Sequence, residues 1–95
     1  MRYEWDASKD RANQAKHGVS FATAALVFED PRQLSVQDRH EGGEERWQTL
    51  GLVGGTVIIL VAHTYREDEQ GEAIIRIISA RKATRRERQR YEQED

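Results

Sequence analysis

Between residues 21 and 28 apolar side chains recur at helical spacing, and from residue 34 they gather into runs bounded by polar turns. Tyr3 and Trp5 stand at alternate positions, which predicts a short strand over residues 3–5. Asp6 can cap a helix that continues to Lys16 and closes at His17-Gly18, where glycine supplies the left-handed position beyond a helix end. Ser20 then caps a second helix over 21–28, whose Phe21, Ala24, Ala25 and Phe28 line one face. Asp30-Pro31 stops it, because the residue before proline avoids the helical region.

Strand patterns follow. A short one is expected at 34–37, then a polar loop at 38–44 holding His40, Gly42 and Gly43. A strand over 45–53 leads to Gly54-Gly55, a tight hairpin signal, and to a long strand over 56–65 that is apolar on both faces and so central. An acidic turn at 66–71 precedes the last strand, 72–79. Thr84-Arg85-Arg86-Glu87 has the form of a capping box and starts a final helix. The expected fold is α+β and a single domain over residues 1–95: a small antiparallel sheet of about four to five strands, two N-terminal helices and a C-terminal helix. The helices should cover one sheet face and leave the other partly open, as a groove for a nucleic-acid strand.

Charge sharpens this picture. The net charge is only −2, yet residues 73–91 hold seven cations against Glu87 alone, while residues 29–72 sum to −6. Recognition follows the local patch rather than the whole-chain balance. The chain has no cysteine, which excludes disulfides and thiolate metal sites. Its longest apolar run is too short to cross a bilayer, and its start lacks the apolar stretch of a signal peptide, so a cytoplasmic protein without membrane contact is expected.

The basic segment also supplies the candidate chemistry. Strand alternation puts Arg76 on the face of Ile74 and Ile78, and Arg81 on the face of Ile75 and Ile77. Arg81, Arg85 and Arg88 follow at spacings of four and three, with Tyr91 beside Arg88, so guanidinium forks and a phenol could grip phosphate together with Arg76 and Lys82. His17 suits a helix end. His63 ends the central strand, where it is either a satisfied edge histidine or a site residue, and His40 in its polar loop could act as acid or base. No metal-ligand spacing, phosphate-binding glycine loop or nucleophile elbow is present, so neither a metal nor a cofactor is expected. Arginine, histidine and tyrosine alone suit phosphodiester transfer in RNA, where the 2′-hydroxyl provides the nucleophile. The other reading is a non-catalytic module that docks an acidic partner protein or DNA through the basic helix.

The segments YEWDASKDRANQAKHGVSF, FEDP, GEERWQTLG, VAHTYR and IRIISARKATRRERQRY, in this order and spacing, resemble the BrnT toxins of bacterial type II toxin–antitoxin systems, within the RelE-like superfamily. KHGVSF and ISARKATRRER are the most specific of them. The resemblance implies a RelE-like fold, RNA cleavage, growth arrest, and neutralisation by a BrnA antitoxin whose ribbon-helix-helix part binds DNA. The toxin would then meet operator DNA only through the antitoxin. By position, Arg46, His63, Arg81 and Tyr91 look similar to the substrate-facing basic and phenolic groups of RelE-like folds, and Lys16, His17, Arg85 and Arg88 fall within the motifs.

Overall fold

The computed structural model describes residues 1–41 and 44–93, with side chains at all of these except 39–41 and 44. Strand β1, Arg2–Glu4, leads into helix α1, Ala7–His17. Asp6 caps α1 by accepting from the Lys9 N–H at 3.0 Å, and Gly18 closes it at a φ of 71°, its N–H reaching the Gln14 carbonyl at 2.9 Å. Ser20 caps α2, Phe21–Ala25, through the Thr23 N–H. The helix expected to reach residue 28 tightens after Ala25 into a 3-10 helix, Leu26–Glu29, which buries Val27 against the sheet. That close approach accounts for a glycine inside a strand: a Cβ on Gly51 would lie 2.6 Å from Val27 Cγ1 and 2.9 Å from its carbonyl oxygen.

The remaining strands are β2 (Leu34–Glu41), β3 (Glu44–Val53), β4 (Val57–Glu67) and β5 (Ala73–Lys82), and helix α3 (Arg85–Gln93) closes the chain. Their order in the sheet is β1-β5-β4-β3-β2. The expected antiparallel meander is present from β2 to β5, but β1 adds in parallel beside β5, pairing Tyr3 with Ile75, so the sheet is mixed. Most of the segment read as a loop at 38–44 is strand. Its run of polar residues mimics a loop in the sequence, and a bulge between Gln37 and Arg39 shifts the register while the pairing with β3 continues. Gly42 and Gly43 lie outside the described residues.

The helices do not all share one face. On one side α1, α2 and the 3-10 helix bury Phe21, Val27, Ile59, Val61, Ile75 and Ile77. On the other, Tyr91 of α3 and Ala83 just before it pack with Leu50, Ile58 and Leu60. The Thr84–Glu87 capping box forms reciprocally and aims α3 across the sheet, and the Tyr91 hydroxyl anchors the far end by donating to Asp30. Asp30 also accepts from the Leu52 and Arg32 N–H groups, so one carboxylate ties α3, β3 and the turn after the 3-10 helix. Among the described residues, α3 therefore packs over only one end of its face.

Candidate nucleic-acid interface

Paired residues on neighbouring strands share a face, so the open half of the sheet can be read from the register. Arg46 on β3 pairs with Thr64 on β4, Thr64 with Arg76 on β5, and Arg76 with Glu4 on β1. This row crosses four strands on the face that α3 partly covers. The next row towards α3 holds Gln48, Ala62 and Ser79, and two residues further Leu50, Leu60 and Arg81 lie at the helix itself. Four positions along β4 separate the Arg46–Arg76 row from the Arg81 row, roughly 13 Å.

Arg76 and Arg81 thus stand on one face, contrary to simple alternation. The cause is a bulge: Ala62 pairs with Ser79 and His63 with Ile77, which leaves Ile78 unmatched and reverses the alternation beyond it. The same shift sends Lys82, paired with Ile59, to the opposite face from Arg81.

Each arginine has a distinct electrostatic setting. Glu4 holds Arg66 at 2.8 Å and lies 3.7 Å from Arg76, and these cations keep its carboxyl below the usual range. Arg81 forms a two-pronged pair with Glu87, at 2.8 and 3.0 Å. Chiefly through that pair, and through the Thr84 N–H, the Glu87 carboxyl is pulled down to about 2. Arg81 is therefore engaged as a strut between the end of β5 and the first turn of α3. Arg88 reaches back to the Ala83 carbonyl at 3.3 Å, and Arg85 is exposed. Tyr91 is buried, its hydroxyl committed to Asp30 and its ionisation pushed up by burial and by that carboxylate.

His63 lies on the other face from Arg46, Arg76 and Arg81. It pairs with Trp47, is 4 % exposed, and meets the Phe28 ring edge-on at 4.8 Å. The Thr64 carbonyl can only accept, so His63 Nδ1 carries the proton, at 3.3 Å, and Nε2 accepts from the Thr49 hydroxyl at 2.8 Å. Thr49 in turn accepts from Ser35 at 2.7 Å. Both ring nitrogens are used, and burial lowers the pKa of the ring, so His63 is neutral and integral to the packing. The sequence left its role open, and the structure does not bring it together with the arginines. His40 pairs with Glu45 through the backbone, and its side chain lies outside the described residues.

The neutral His63 has a consequence for stability. Folding holds its pKa below the ordinary value of 6.5, so the unfolded chain binds the extra proton first as pH falls. The melting temperature should drop between pH 7.5 and 5.5, and His63→Phe should flatten that dependence. A wild-type melting temperature that is level or rising toward pH 5.5 would show the ring to be protonated in the fold.

Sequence reading missed Thr64 and Asn13. Thr64 looks like an ordinary strand residue until the register places it between two arginines, and Asn13 looks like an unremarkable polar helix position.

Residues 5–87 match the family described as the ribonuclease toxin BrnT of type II toxin–antitoxin systems. The fold is similar to the crystal structure of the Brucella abortus ribonuclease toxin BrnT, with a TM-score of 0.67 and 25 % identity, over 90 % of this chain and 99 % of that one. No curated protein sequence matches the chain. Since the family match spans most of the chain, through both the capped N-terminal helices and the arginine-bearing strands, the chain belongs to the BrnT family of ribonuclease toxins of type II toxin–antitoxin systems.

Proposed function

We propose that this toxin cuts RNA without a metal ion, on the open half of the sheet face beside α3. The observation that carries the reading is the row of Arg46, Thr64 and Arg76 across β3, β4 and β5, roughly 13 Å along the sheet from the Leu50–Leu60 row on which α3 packs. Guanidinium groups carried on a rigid sheet, once closed on a phosphate, stabilise the charge that develops on it in the reaction. The 2′-hydroxyl of the substrate gives up its proton to water and attacks the adjacent phosphorus, the bond to the 5′-oxygen breaks with that oxygen taking a proton from water, and Arg46 and Arg76 hold the non-bridging oxygens as negative charge builds on them. Arg85 and Arg88 on α3 extend the positive track along the strand, and Arg81 keeps that helix in place through Glu87.

The partner of this reading is a BrnA-type antitoxin with a ribbon-helix-helix part, which neutralises the toxin in the cytoplasm and alone contacts operator DNA. Among the described residues, no helix is long and apolar enough to cross a membrane.

Incubating the purified chain with RNA in excess chelator is the test. Cleavage products ending in a 2′,3′-cyclic phosphate are expected. Intact RNA in chelator, with cleavage restored by a divalent cation, would overturn metal independence. Intact RNA under both conditions and with translating ribosomes would overturn the nuclease reading.

A further inference from the structure

Two polar atoms on the arginine face are buried and unpaired. Among the described residues, neither Arg46 Nε nor Thr64 Oγ1 has a hydrogen-bond partner. They belong to directly paired residues on β3 and β4, and Thr64 is 3 % exposed. A buried donor without an acceptor is costly, so its persistence asks for an explanation. The same sheet shows the ordinary solution: Thr49, the other buried threonine, is bonded on both sides, to Ser35 and His63.

What is missing beside Thr64 is an acceptor. Arg46 Nε–H can only donate, and a threonine hydroxyl beside it donates as well once an acceptor arrives. Arg76, the other neighbour of Thr64, supplies a second positive charge, and its 3.7 Å separation from Glu4 is beyond hydrogen-bond range. Three groups on three adjacent strands thus point to a small, multivalent oxyanion.

We infer that Arg46, Thr64 and Arg76 form the seat of one phosphate group, with the Thr64 hydroxyl donating to a non-bridging oxygen. This deepens the ribonuclease reading above and rests on it for the identity of the phosphate as an RNA phosphodiester. Both orphan atoms are closed to water in the free protein, so the oxyanion reaches them as the half-buried Arg46 side chain turns outward. Thr64 is then a substrate-contacting residue, and its hydroxyl is kept at some cost to the stability of the empty protein.

The test uses the full chain, with the arginine Nε–H resonances followed by NMR. Inorganic phosphate and a 2′-O-methyl RNA trinucleotide, which lacks the attacking hydroxyl, are the probes. The Arg46 Nε–H signal should shift saturably with both. Thr64→Val preserves shape and removes the hydroxyl. It should bind both probes about tenfold more weakly and yet melt at a higher temperature, because an unsatisfied buried group is gone. Arg46→Lys keeps the charge, loses the Nε–H, and should weaken binding similarly.

An Arg46 Nε–H signal indifferent to phosphate would overturn the seat, as would a Thr64→Val variant that binds as tightly as the parent. Cleavage of ordinary RNA by the same samples separates the two claims. Cleavage with a silent Arg46 signal sinks the seat and leaves the nuclease reading standing, whereas a shifted Arg46 signal without cleavage does the reverse.

Discussion

Asn13→Leu is expected to lower unfolding stability by roughly 3–5 kcal/mol, a large part of what a domain of this size has. Asn13 is a buried residue on α1, with its amide nitrogen 2.9 Å from the Val19 carbonyl and 2.8 Å from the Ala80 carbonyl, while its oxygen accepts from the Ala80 N–H at 3.1 Å. The reason lies in the sheet. β1 pairs with β5 only as far as Arg76, so the outer edge of β5 beyond that point has no strand to satisfy it. The Asn13 amide supplies both a donor and an acceptor there, as a strand backbone would. Leucine fills the volume but leaves the Ala80 N–H and two carbonyls without partners. Urea denaturation measures the effect: the midpoint should fall with an unchanged slope. A loss below about 1 kcal/mol would mean that water or a shifted strand takes over these bonds.

The second large effect concerns catalysis. Arg46→Ala is expected to slow RNA cleavage by roughly 10²- to 10³-fold, the usual consequence of losing one donor to the charge that develops in the transition state. Melting temperature should not fall, because among the described residues Arg46 Nε has no hydrogen-bond partner. Arg81→Ala should behave in the opposite way. It strips Glu87 of its two-pronged partner and loosens the start of α3, so the fold responds first and activity follows. Single-turnover cleavage and thermal melts on both variants decide the matter. If Arg46→Ala stays within about threefold of the parent while Arg81→Ala loses activity at an unchanged melting temperature, catalysis belongs to the strand–helix junction and not to the open row.

The two substitutions also show how the candidate site divides. Strand alternation brings Arg76 and Arg81 forward and the family resemblance brings Arg46, and the register then separates them: Arg46 and Arg76 flank Thr64, and Arg81 lies at the start of α3. The sequence offers Tyr91 as a phenol beside the arginines. The helix axis turns it into the core, where Asp30 takes its proton donor. Asp30 itself looked like no more than a helix stop before proline, yet it joins three segments far apart in sequence.

Local interactions write themselves into sequence, and here they set the helix ends at Asp6, Gly18, Ser20 and Thr84, the hairpin at Gly54-Gly55 and the four-strand meander. Each helix end and the hairpin turn depends on residues within a turn of one another, so its signal survives without the rest of the chain, and the meander follows because its strands are consecutive and joined by short turns. Three features were decided only in the folded molecule: the parallel docking of β1, the bulge at Ile78 that brings Arg81 to the face of Arg76, and the division of helices between the two faces. These depend on which strands meet and in what register, a choice made by packing between segments dozens of residues apart. A one-residue slip in that register turns a side chain to the other side of the sheet, and no local pattern records it.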